Sequence, residues 1–155
     1  MKKEISIPTD LSEIKLWQYQ QFLRIEEPDE LDLISSMLRM KKETVSKFKL
    51  SNIEEISGEF EKMFSKEQDF KPTFKIGSRK FGFIPNLDDI AFGENNDLVR
   101  YIQDWDTMHN AKAVMFRPIT QEYKGKYKIE EYEGSAKYAD QMKDAPLDVC
   151  MGAMV

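Results

Sequence analysis

Several residue types on which protein function often depends are scarce in this chain of 155 residues. Cys150 is the only cysteine, so no disulfide can form within the chain, as is typical of proteins of the reducing cytosol. His109 is the only histidine, which leaves general acid–base catalysis mainly to carboxylates. The longest run made only of apolar residues and glycine, 149–155, is far too short to cross a lipid bilayer.

The chain also lacks the signals for export and for nucleic-acid binding. Two lysines follow the first methionine, but no apolar stretch comes after them, so this segment does not match a signal peptide. The net charge is −5, whereas general nucleic-acid binding needs clustered Lys and Arg to neutralise phosphates. We therefore expect a cytoplasmic protein without a direct nucleic-acid or membrane partner.

Sequence spacings that mark catalytic, nucleotide and metal sites are missing. There is no GxSxG, no GxxxxGK[ST] and no CxxC, HxxxH or ExxH pair. Asp106 and His109 are i,i+3 neighbours on a predicted helix, and an acidic group follows the first hairpin: Asp88, Asp89, Glu94 and Asp97. Helix stabilisation and a solvated loop explain these groups more simply than a metal does. We therefore predict no catalytic residue, no metal and no cofactor.

What the sequence does contain is enough apolar material for a folded domain. Hydrophobic residues make up 41% of the chain and aromatic residues 12%. The order of patterns predicts an α+β fold, mainly helical with two β-hairpins, in a single domain over residues 1–155. A weakly marked boundary between two parts of this domain is predicted near residues 68–70, where helical patterns give way to the first hairpin.

Both hairpins are predicted from β-forming residues around glycine turns. The first joins Phe70–Ile76 to Lys80–Ile84 through Gly77-Ser78. The second, or else a single strand, covers Tyr123–Tyr132 and is broken at Gly125. Alternation over residues 4–8 also predicts a short edge strand.

The helices are predicted from three-four spacing of apolar residues. The first covers Leu11–Glu27, with Tyr19 and Phe22 on its apolar face. Ser51 and Glu54 match a capping box, so a helix should start there. A long central helix should begin at Asn95 or Asn96 and continue until Pro118, with a buried stripe of Leu98, Tyr101, Ile102, Trp105, Met108, Lys112 and Met115.

Nine methionines and an apolar C-terminal segment indicate surfaces that bind other proteins. Residues 147–155 look like an apolar helix that is docked, covered by a partner, or cut short of its natural length. Core packing is the alternative role for about half of the methionines. We predict five residues as partner contacts or as supports beneath them, although for Trp105 we favour burial within the monomer: Trp105, Met108, Phe116, Met151 and Met154.

Four segments carry a family resemblance: FGFIPNLDDIAFGENNDL, YIQDWDTMHNAKAVMFRPI, YKGKYKIEEYEG and APLDVCMGAM. They resemble a group of small proteins encoded by tailed bacteriophages, some of which are labelled tail assembly chaperones or structural proteins. The resemblance covers about residues 70–154 well and the N-terminal part more loosely. It brings no catalytic residue to this chain. In that group the PLDV…GAM segment runs on into an apolar helix, so this chain looks shorter than its relatives.

The resemblance implies a non-enzymatic protein of virion assembly, and we expect a tail assembly chaperone in the cytoplasm of the infected host. Its partners would be other phage structural or tail proteins. Association of several copies of the chain in a homo-oligomer is an open alternative. The first alternative is a stoichiometric component of the head, neck or tail, located in the virion. A further alternative is a metal-dependent enzyme built on Asp88, Asp89, Asp104 and His109.

Overall fold

The computed structural model of the chain describes residues 6–154. Contacts between Cα atoms divide these residues into two units. The first unit contains residues 6–69 and 146–152, and the second contains residues 70–145 and 153–154.

The described residues form eight α-helices and four β-strands. The helices are α1 (Leu16–Leu23), α2 (Glu30–Leu38), α3 (Lys42–Val45), α4 (Leu50–Ser65), α5 (Phe92–Tyr101), α6 (Met108–Met115), α7 (Ala136–Met142) and α8 (Leu147–Gly152). The strands are β1 (Thr73–Ile76), β2 (Arg79–Phe83), β3 (Phe116–Tyr123) and β4 (Lys126–Ile129). Short 3-10 helices lie at Leu11–Glu13, Leu87–Asp89 and Trp105–Thr107.

In the first unit, α1, α2 and α4 are positioned by local polar contacts and a shared apolar core. Asp29 and Asp32 cap the start of α2 reciprocally, each carboxylate accepting a hydrogen bond from the other residue's backbone N–H. The Gln18 side chain donates to the backbone oxygens of Ser36 and Met37, which ties α1 to the end of α2. The core side chains of these segments are Leu11, Ile14, Leu16, Ile34, Met37, Val45, Ile56, Phe60 and Met63.

The last helix, α8, returns to this first unit from the far end of the chain. The Leu147 N–H donates to the Ile14 oxygen at 2.8 Å, and Lys15 and Pro146 form an isolated β-bridge. Three apolar side chains of α8 are almost completely buried: Leu147, Val149 and Cys150. Residues 147–152 are therefore docked, the first of the three alternatives for this segment.

The second unit is built on one antiparallel sheet with the strand order β1-β2-β3-β4. Phe74 of β1 pairs with Phe81 of β2, and Phe81 pairs with Pro118 of β3. The Phe116 ring lies edge-on to the Phe74 ring at 5.0 Å. From α6, five apolar side chains are buried in this unit: Met108, Ala111, Ala113, Val114 and Met115.

A fully buried lysine holds the end of the described chain in the second unit. Lys112 Nζ donates to the Ala153 oxygen at 3.3 Å. The thioether sulfurs of Met115 and Met154 lie 3.6 and 3.7 Å from the same ammonium. Lys112 was predicted on a buried stripe, and the structure confirms that position.

The predicted α+β class, mainly helical with two hairpins, is confirmed. Gly77 adopts a positive φ of 60° in the first hairpin turn, and Gly125 adopts 79° in the second, conformations in which glycine avoids a Cβ clash. The second hairpin is longer than predicted, because its first strand begins at Phe116.

The predicted long central helix is wrong. The chain forms α5 and α6 as separate helices, and α5 starts after Ala91 instead of at Asn95 or Asn96. The Asp104 carboxylate accepts a hydrogen bond from the Asp106 N–H and starts a new turn at Trp105. Thr107 Oγ1 donates to the Tyr101 oxygen at 2.7 Å and closes the end of α5. Side-chain capping therefore interrupts the helix although the apolar spacing continues across the break.

Two local predictions also fail. The predicted capping box at Ser51 does not form, because the N-cap of α4 lies two residues earlier, at Lys49, and makes no side-chain hydrogen bond. Of the strand predicted over residues 4–8, residues 4 and 5 lie outside the described residues, and residues 6–8 form no strand.

Replacing Gly82 by alanine should destabilise the second unit. A Cβ at Gly82 would lie 2.5 Å from Tyr127 Cε2 and 3.0 Å from Ile119 Cγ1. The Tyr127 ring cannot move away freely, since its hydroxyl donates to the Phe83 oxygen at 2.7 Å. We expect Gly82→Ala to lower the free energy of unfolding, measured by urea denaturation, by roughly 1–3 kcal/mol.

Gly58→Ala is the matched control for this experiment. Gly58 lies inside α4, and a Cβ there would meet nothing within 4 Å. This change should raise the free energy of unfolding by roughly 0.5–1 kcal/mol, because glycine is a poor helix former. Equal effects of the two substitutions would contradict the packing of Tyr127 against Gly82.

Candidate partner-binding site

The five residues predicted at partner contacts do not form one surface. Met108 and Phe116 are each 1% exposed. They were predicted either to contact a partner or to support a contact surface from beneath, and their burial fits only the second role. Trp105 is half-buried at the start of its 3-10 turn. Met154 is 40% exposed in the second unit, whereas Met151 is half-buried in the first.

Met151 lies in an open, mainly apolar groove of the first unit. The groove has a volume of about 310 Å³, and its walls come from α1, α2, α4 and α8. Its lining side chains are Tyr19, Phe22, Leu33, Glu61, Phe64 and Met151. Partly exposed apolar side chains that converge on a concave surface are typical of binding sites.

The helices present these side chains because each apolar stripe is wider than the core requires. Each of three groove residues is adjacent in the sequence to a core residue: Leu33 precedes Ile34, Phe64 follows Met63, and Met151 follows Cys150. In each pair one neighbour is buried and the other is only half-buried. The groove is therefore a continuation of the hydrophobic core that reaches the surface.

Aromatic contacts fix one wall of the groove. The rings of Tyr19 and Phe64 stack with centroids 5.5 Å apart, and Tyr19 also lies 6.5 Å from Phe22. Burial raises the pKa of the Tyr19 hydroxyl, so this group stays neutral at physiological pH. The wall is thus aromatic and uncharged.

Among the described residues, Glu61 is the one charged side chain that lines the groove. Its carboxylate is exposed and makes no hydrogen bond or ion pair with any other described residue. The nearby Glu59 on the same helix differs, because it pairs with Lys62 at 3.6 Å. The groove therefore combines an apolar floor with one carboxylate that no residue of the described part of the chain neutralises.

Two of the acidic residues considered for a metal, Glu94 and Asp97, have structural partners in the second unit. Glu94 pairs with Arg117 Nη1 at 3.3 Å, and both side chains are largely buried. Asp97 accepts a hydrogen bond from the Tyr132 hydroxyl, and burial raises the pKa of that tyrosine. Among the described residues, no group of three or more His, Cys, Asp and Glu is placed to hold a metal ion.

A second polar cluster gathers Glu130, Tyr138 and Lys137. The Tyr138 hydroxyl donates to Glu130 at 2.6 Å and Lys137 Nζ lies 2.9 Å from the same carboxylate, and these hydrogen bonds lower the pKa of Glu130. Burial, and then the bond to Glu130, raise the pKa of Tyr138. Both shifts move away from neutrality, so neither group is adjusted to exchange protons near pH 7.

Comparisons of the chain with protein-family models, with curated proteins and with solved structures find no match. Over residues 6–154, no helix has the length and apolar character needed to span a membrane. The groove is therefore interpreted from its own geometry.

Of the groove residues, only Met151 was predicted from the sequence as a partner contact. Tyr19 and Phe22 were assigned to an apolar helix face, which by itself does not distinguish a core from a groove. Adjacent apolar pairs such as Met63-Phe64 were the available signal, since neighbours on a helix point in different directions and a core on one side of the helix buries only one of them.

Arg117 should be critical for the stability of the second unit. Its Nε donates to the Glu130 oxygen at 2.7 Å and its Nη1 to the Val114 oxygen at 2.9 Å, in addition to the pair with Glu94. Arg117→Met leaves a buried carboxylate and two carbonyls without their donor. We expect the free energy of unfolding in urea to fall by about 3–5 kcal/mol.

Arg100→Met is the matched control, since the Arg100 side chain is 67% exposed in its pair with Asp97. An exposed pair contributes little, so this change should alter the free energy of unfolding by less than about 1 kcal/mol. If both variants lost the same small amount, Arg117 would not have the structural role assigned to it.

Proposed function

We propose that this chain is a non-enzymatic binding protein that covers an apolar helix of a partner in the groove of its first unit. The observation that carries the proposal is the exposed continuation of the core at Tyr19, Phe22, Leu33 and Phe64, completed by Met151. An amphipathic helix inserts its apolar side chains into such a groove, the common mode of helix-in-groove recognition.

The resemblance to tailed-phage proteins suggests the kind of partner that such a groove would bind. A tail component with exposed apolar helices aggregates if nothing covers them before assembly. A binding protein with a net charge of −5 keeps such a complex soluble. The proposed function is therefore that of a tail assembly chaperone in the infected host cell, with a tail protein as its partner.

A designed helix tests the groove without knowledge of the natural partner. The probe is a fluorescein-labelled synthetic peptide with no net charge, whose leucines recur at i, i+3, i+4 and i+7. We expect saturable binding in fluorescence anisotropy. Met151→Gln, which replaces an apolar wall residue by a polar one of similar shape, should raise the Kd by about five-fold, as expected for the loss of one apolar contact.

Leu50→Gln provides the control for this substitution. Leu50 is 72% exposed, lies on α4 and does not line the groove, so its loss should leave the Kd unchanged. Thermal melting checks that both variants are folded. Absence of binding by the unsubstituted protein, or equal weakening by both variants, would contradict the groove as the binding site.

Mass spectrometry of purified virions distinguishes the two roles, assembly chaperone and virion component. A chaperone leaves before the particle is complete, so peptides of this chain should be absent from virions and present in lysates of infected cells. Stoichiometric amounts in the particle would instead assign the protein to the head, neck or tail.

A further inference from the structure

We infer that the helix bound in the groove is cationic, and that Glu61 selects it by pairing with a Lys or Arg beside the apolar contact residues. This inference rests on the proposed function, because it assigns the chemical class of the partner at the same groove. It depends on the charge of the first unit, the position of Glu61 and the loss of water on binding.

The negative charge of the chain is concentrated in the first unit. Residues 6–69 and 146–152 contain 15 Asp and Glu against 9 Lys and Arg, a net charge of −6, to which residues 1–5 of the sequence add +1. Residues 70–145 and 153–154 contain 12 of each kind, and their net charge is zero. An approaching helix is therefore attracted to the unit that holds the groove if the helix is basic.

No residue of α4 can neutralise Glu61 from within the helix. Residues three and four positions away are its neighbours on the helix surface. These positions hold Ser57, Gly58, Phe64 and Ser65, none of which is basic. Glu54, seven residues before Glu61 and thus on the same helix face, also has no ion pair with a described residue.

Covering the groove changes the surroundings of the Glu61 carboxylate. The carboxylate is hydrated while the groove is open, and a bound helix displaces part of that water. A Lys or Arg on the helix compensates for the loss, whereas a neutral or acidic side chain leaves a partly buried charge without a partner. Glu61 therefore favours basic helices and rejects acidic ones by the same interaction.

Two synthetic helices test this selection directly. Both carry the same leucines at i, i+3, i+4 and i+7, and they differ only in flanking residues, which are lysine in one peptide and glutamate in the other. In fluorescence anisotropy, the lysine peptide should bind the unsubstituted protein at least about five-fold more tightly, and added salt should reduce the difference. Glu61→Lys should abolish or reverse this preference.

Glu55→Lys is the matched control. Glu55 is exposed on the same helix, does not line the groove and has no ion pair with a described residue, and its substitution changes the net charge by the same amount. We expect this variant to keep most of the preference for the lysine peptide. A loss as large as that in Glu61→Lys would assign the preference to overall charge and overturn the role of Glu61.

The outcomes separate this inference from the proposal on which it rests. Equal binding of both peptides, with no effect of Glu61→Lys, overturns the inference and leaves the groove as a binding site. Failure of both peptides to bind overturns both.

Discussion

The hydrogen bond from the Leu147 N–H to the Ile14 oxygen holds two distant parts of the chain together in the first unit. The bridge between Lys15 and Pro146 lies next to it, and the buried side chains of α8 follow. Without this return α8 would expose its apolar residues, and the groove would lose the wall that Met151 provides. Covering the apolar C-terminal segment and forming the groove are therefore one packing event.

A different constraint organises the second unit. Arg117 joins the end of α6, the chain after β4 and the start of α5 through Val114, Glu130 and Glu94. The buried guanidinium also lies 5.4 Å from the Tyr132 ring. Glu94, one of the acidic residues that could suggest a cation site in the sequence, thus has a structural use, since the buried Arg117 already provides its positive charge.

Local patterns predicted much of the fold because they depend on nearest neighbours. Gly77 and Gly125 marked turns that need a positive φ, and the α+β class followed from the order of helical and β-forming segments. The central helix was divided wrongly because Asp104 and Thr107 end one helix and start another without disturbing the apolar spacing. Hydrogen bonds of these two short side chains therefore determine where the helix is divided.

The groove could be predicted only in part, because its walls come from segments far apart in the chain. Met151 was predicted as a partner contact from the apolar residues around it in the sequence. Its neighbours Tyr19 and Phe64 have the same pattern as core residues, and only the packing of α1 against α4 shows that they reach the surface. Nothing local distinguishes Glu61 from Glu54 and Glu55, which also lack a basic residue three or four positions away on α4.

Methyl NMR of the protein labelled at its methionines tests the central claim most directly, because these side chains report on both units. On titration with the uncharged leucine helix, the Met151 resonance should shift saturably, while the resonances of Met108 and Met142, buried in the second unit, should stay in place. Shifts confined to the second unit, or an unchanged Met151 resonance in the presence of bound helix, would contradict this account.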